Sequence, residues 1–116
     1  TEMANTFKLK TKAGIDASLV TVYTVPANTT TVVIGLTIAN IKGASVTADV
    51  KVISDTSDTE TNANVYIAKD IPLPSGSSVE VMAGNKIVLK ATDAIQVKGS
   101  VADAVDATLS IMEITA

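Results

Sequence analysis

Side chains alternate with a period of two along most of this chain, and that periodicity excludes more folds than any other feature of it. Apolar positions two apart line one face of a strand, whereas a helix needs them at three- and four-residue spacing. No stripe of the helical kind reaches helical length. The residues that carry the alternation are β-branched: 15 Val, 16 Thr and 11 Ile. Such side chains suit a pleated sheet and lose rotamer freedom in a helix.

The segments follow in order. Phe7 to Lys12 alternates apolar residues with Lys, the pattern of a half-exposed strand. Leu19 to Val25 is the second, closed by Pro26-Ala27-Asn28, because Pro cannot sit in a central ladder and Asn tolerates turn geometry. Thr31 to Ile41 is the most apolar stretch. Val32, Ile34, Leu36 and Ile38 share one face there; Val33, Gly35, Thr37 and Ala39 share the other. Both faces are apolar, which predicts a central strand. In Val46 to Ser54, Val46, Ala48, Val50 and Val52 point inward and Thr47, Asp49 and Lys51 outward. Val65–Ile71, Ser78–Met82, Lys86–Ala91, Ala94–Lys98 and Val105–Ile114 complete the set, the last with Ala107, Leu109 and Ile111 on its core face.

Turn signals recur at roughly 8–12-residue intervals, which predicts an antiparallel β-sandwich rather than parallel βαβ units. About nine strands are expected, in jelly-roll or immunoglobulin-like connectivity, since periodicity does not report pairing. A chain of 116 residues makes one domain, placed at residues 7–116. Residues 1–6 read as a flexible N-terminus, with Met3 as the natural start and Thr1 and Glu2 as an added remnant. That start lacks the basic and apolar regions of a signal peptide. No apolar run approaches the roughly 18–20 residues of a membrane helix, so no membrane partner is expected.

The chemistry this chain omits narrows its function. It has no Cys, His, Trp or Arg. Disulfides and thiolate chemistry are therefore excluded, and the commonest general base and metal ligand is missing. Nine Lys against twelve acids give a net charge of −3, opposite to what tracking a nucleic-acid backbone requires. No cofactor and no enzymatic activity are expected. Asp49, Glu80 and Glu113 fall on predicted outward faces, where carboxylates are ordinarily just solvated, not paired across a cleft. Asp55 to Asn64 is a polar loop whose Asp55, Asp58 and Glu60 offer hard oxygens to a cation or a receptor. The simpler reading is a solvated loop, because the spacing is not that of an EF-hand. Lys8, Lys10 and Lys12 read as edge-strand charges that discourage sheets from pairing edge to edge. Tyr23 and Tyr66 are interface anchors in the sharper reading and half-buried residues with wet hydroxyls in the simpler one. Val33, Gly35, Thr37 and Ala39 form a face too smooth and apolar for plain solvation. They are candidate contact residues unless a second sheet of the same chain covers them.

The run from Tyr23 to Asn40 (YTVPANTTTVVIGLTIAN), Val50-Lys51-Val52, Pro72-Leu73-Pro74-Ser75-Gly76 and the closing Leu109–Ile114 segment carry a resemblance. Together they resemble small virion structural proteins of tailed, especially marine, bacteriophages. The resemblance implies a non-enzymatic decoration, neck or tail component, made in the host cytoplasm and ending in the virion. Its implied partners are capsid or tail proteins and further copies of itself, with a trimer favoured. The competing expectation is a host-surface or carbohydrate-binding β-sandwich module.

Overall fold

The computed structural model describes residues 4–115; the remnant and start assigned to Thr1, Glu2 and Met3 lie outside the described residues. Among these residues there are nine strands and no helix. They are β1 (Ala4–Ile15), β2 (Val20–Thr24), β3 (Thr29–Asn40), β4 (Val46–Ile53), β5 (Val65–Leu73), β6 (Ser78–Glu80), β7 (Ile87–Leu89), β8 (Ala94–Gly99) and β9 (Val105–Thr115). Ala4–Thr6, read from sequence as part of a flexible terminus, run within β1 opposite Glu113–Thr115.

One sheet has the order β1-β9-β3-β6, with β7 also on β3; the other runs β2-β8-β4-β5. Every pairing is antiparallel. The short β6 and β7 lie end to end along the same edge of β3, on Thr37–Ala39 and Thr31–Val33. They therefore fill one strand position. The chain changes sheet between β1 and β2, β2 and β3, and β3 and β4, stays for the β4–β5 hairpin, then crosses back. That connectivity is a jelly roll, and it selects between the two sandwich types the periodicity left open.

The core fills the space between the sheets with Leu36, Ile38, Val50, Ile95, Val97, Leu109 and Ile111, all essentially inaccessible. Each fully buried aliphatic side chain contributes about 1.5–3 kcal/mol. The expected core faces of β4 and β9 are the ones observed: Val46, Ala48 and Val50, and Ala107, Leu109 and Ile111. In β3 the expectation fails halfway. The ladder with β9 slips between Val33 and Gly35, leaving Ile34 as an extra residue. A one-residue bulge moves every following side chain to the opposite face. Thr29, Thr31 and Val33 therefore point inward before the bulge, and Leu36, Ile38 and Asn40 after it.

Candidate functional site

Val33, offered by the sequence as an exterior residue, is wholly buried because it precedes the bulge. Gly35, Thr37 and Ala39 follow it and lie on the outer side of the five-stranded sheet, where Thr37 is exposed and the other two partly so. Gly35 has a specific task. A Cβ there would sit 2.6 Å from Glu80 Oε1. The freed space lets the Glu80 carboxylate reach across and accept the Leu36 amide at 2.9 and 3.1 Å. The bulge's loose N–H is thereby satisfied.

Two further irregularities are held the same way. At the β5 bulge Asp70 takes φ 53°, and its amide donates to Asp49 Oδ1 at 2.7 Å. Lys69 Nζ adds a 3.2 Å contact to the other oxygen. Where β1 slips against β9 beyond Lys12, the Gly14 amide donates to Asp106 Oδ1 at 2.9 Å. Burial alone would raise the Asp49 carboxyl, but the Asp70 amide and the Lys69 ammonium outweigh it and hold it below the ordinary aspartate range.

Glu113 is also not where the outward-face expectation put it. It continues the inward series Ala107, Leu109, Ile111 and is 4% exposed between the sheets. Lys8 Nζ lies 2.7 Å from its Oε1, and the Tyr23 hydroxyl donates to Oε2 at 2.5 Å. Thr31 Oγ1, 2.8 Å away, donates in turn to the Tyr23 oxygen, whose own proton is committed. Lys8 and Tyr23 hold the Glu113 carboxyl below its usual range despite its burial. Burial first, and the Glu113 acceptor second, push the Tyr23 phenol up to about 12. Tyr23 is thus a core residue with an enclosed hydroxyl, not a surface anchor with a wet one.

The three acids weighed as a catalytic set therefore occupy three places. Asp49 is on the four-stranded sheet, Glu80 at an edge of the five-stranded sheet, and Glu113 in the interior. Among the described residues no group of three or more His, Cys, Asp or Glu gathers to hold a metal ion. In the acidic loop, Asp58 accepts the Thr59 and Glu60 amides, and Asn62 donates to Ser54 and Thr56. Thr56 reaches across to Asp93 at 3.2 Å, which ties the loop to the β7–β8 turn.

The two outer faces differ. On the four-stranded sheet Tyr66 is 42% exposed, with Lys51 and Lys69 Nζ each 5.1 Å from its ring centre. Lys98 stands opposite Asp49 on the same sheet. On the five-stranded sheet Phe7 pairs with Met112, Met112 with Val32, and Val32 with Val88, an apolar row crossing four strands. The alternation in β1 reads as a half-exposed strand, and its exposed half is the apolar one. Here Lys8, Lys10 and Lys12 stand opposite Ile111, Leu109 and Ala107, on the inner side, and Phe7 and Leu9 are turned out, 74% and 63% exposed.

No protein-family model matches the sequence, and no curated protein does. Solved structures do resemble it in shape. A chain of the Bacillus endospore appendages, a family of disulfide-linked pili, superposes with TM-score 0.50 at 11% identity, over 97% of this chain and 88% of that one. A chain of the infectious bursal disease virus Gx strain gives TM-score 0.58 at 10% identity, and one from the T13 particle of the same virus gives 0.56 at 9%. Both cover 96% of this chain, which spans only about a third of those viral chains (32% and 31%). At such identities the likeness is one of fold: a pilus chain and a region of two viral particle chains share the β-sandwich seen here.

Proposed function

We propose that this chain is a non-enzymatic structural protein of a bacteriophage virion. It attaches to the particle as a head decoration, neck or tail component, through a sheet face or edge, and associates with copies of itself. The observation that carries this reading is the use made of four acids on the sheets. Asp49, Glu80, Asp106 and Glu113 each brace a neighbouring strand, so their charge serves rigidity instead of bond-breaking. The sandwich shared with viral particle and pilus chains supports it, as does the sequence resemblance to phage structural proteins. With no Cys in this sequence, disulfides do not join its copies. Many weak copies on a repeating lattice still bind tightly through avidity. Gly35, Thr37 and Ala39 remain contact candidates on the five-stranded sheet. Mass spectrometry of purified particles is the test: tryptic peptides of this chain are expected at structural copy number, and their absence removes the reading.

One observation favours a second reading, a host-surface or carbohydrate-binding module. Tyr66, exposed between two Lys, offers a ring for sugar stacking and cations for an acidic group. Binding on a glycan array that Tyr66→Ala abolishes is the expected result for that role. A blank array disposes of it.

A further inference from the structure

We infer that the outer face of the five-stranded sheet is covered, in the assembled protein, by the same face of a second copy of this chain. The inference rests on the reading above only in expecting copies to meet; it adds which surface meets which. The face is apolar where a strand pattern would have it polar. Phe7, Leu9 and Val88 are 74%, 63% and 59% exposed, and Ile34, extruded by its bulge, is 36% exposed beside them. Val32 and Met112 fill the middle of the row. All three Lys of β1 stand on the other side of that strand, opposite the inward residues of β9. Of the carboxylates on this side, Glu80 is turned back onto the Leu36 amide and Asp106 onto the Gly14 amide.

The row Phe7, Met112, Val32 and Val88 carries no charge, which permits a like partner. An isologous contact sets each group near its own counterpart, so a single-sign charge there would repel itself. The four-stranded sheet carries Lys51, Lys69 and Lys98 on its outer face beside Asp49 and Asp70, and would set several charged groups near their own counterparts. On the five-stranded sheet the acids Glu80 and Asp106 stand at the margin, and the row from Phe7 to Val88 sets no charge against its own copy. Its size also suits. Four strands at ~4.8 Å spacing and about eight residues at ~3.4 Å cover roughly 500–600 Å² per copy with side-chain margins. A pair then buries about 1,000–1,200 Å², the lower bound for a specific interface. Sheets packed this way lie about 10 Å apart with strands within about 30°. A two-fold pair results, in place of the trimer expected from the sequence.

Light scattering with point variants tests it. The wild-type chain is expected at twice its 11.9 kDa mass at tens of micromolar, unchanged or strengthened in 1 M NaCl. Phe7→Asp and Val88→Asp, both at exposed positions, are expected to weaken association at least tenfold while keeping the wild-type circular dichroism and melting profile. Thr21→Asp, on the opposite face, is expected to leave the pair intact. Three results overturn the inference: a trimeric mass, Asp variants that keep the wild-type mass, or a wild-type monomer. A monomer that adsorbs to phosphatidylcholine vesicles assigns the face to a lipid surface; one that does not assigns it to an unlike protein. Each of these leaves the virion reading standing if particle peptides are found. A dimer without particle peptides removes that reading and keeps this contact.

Discussion

Tyr23, Glu113, Thr31 and Lys8 show how a single polar chain of contacts is kept inside an aliphatic sandwich. Each buried group has a partner, and in the described residues no buried side-chain nitrogen or oxygen lacks one. The Tyr23 phenol keeps its proton in the folded protein up to about pH 12, while the unfolded chain loses it near 10. A raised folded value makes this contribution fully present below pH 10 and lost as pH rises toward 12. Urea titrations between pH 9 and 12 should show a fall of about 2 kcal/mol that Tyr23→Phe abolishes, since two pKa units correspond to roughly 2.7 kcal/mol. At neutral pH the same variant should cost about 1–2 kcal/mol for the lost hydrogen bonds. Glu113 has the opposite sign. Its folded value lies below the ordinary 4.5, so its contribution is present above that pH and lost as acid protonates the folded form. Glu113→Gln should flatten the acid limb of the stability curve and lower neutral stability by about 1–3 kcal/mol. A Gln variant with an unchanged acid limb sinks this assignment. The residue was legible in part: parity with Ala107, Leu109 and Ile111 already placed Glu113 inward, but its charge argued for the surface and was given too much weight.

The strands themselves were readable because period two survives along most of each one. What hid was the bulge. One extra residue at Ile34 inverts the phase of β3 without any turn residue to announce it, and only Gly35 marks the place. The Gly35–Glu80 contact makes the device testable as a unit. Gly35→Ala drives a Cβ into the Glu80 carboxylate and strands the Leu36 amide, at an expected cost of about 1–3 kcal/mol. Glu80→Ala strands the same amide at similar cost. Because each change removes the same bond, the double variant should cost clearly less than the sum, by at least 0.5 kcal/mol in a double-mutant cycle. Strict additivity would show that the carboxylate does not brace the bulge. β1 misled for a different reason. Amphipathic patterning reports that a strand has two unlike sides, but which side meets the core depends on the neighbour it pairs with, here β9 and its buried Glu113.

At the scale of the whole molecule, fold class followed from alternation, whereas connectivity did not, because pairing between β1 and β9 joins segments about a hundred residues apart that share no local signal. That pairing has one more consequence. Ala4 lies opposite Thr115, so the first and last described residues are neighbours on adjacent strands. A few Gly and Ser residues would bridge them, and the chain could be cut in the exposed Ser57–Thr61 turn without breaking a named strand. Such a circular permutant should keep the wild-type circular dichroism and melt within about 10 °C of the parent. Loss of the fold would show that the order in which the segments are joined, and not their final adjacency, determines whether the sandwich forms. Cargo joined at Ala4 and cargo joined at Thr115 would therefore leave the body side by side, from adjacent strands of one sheet.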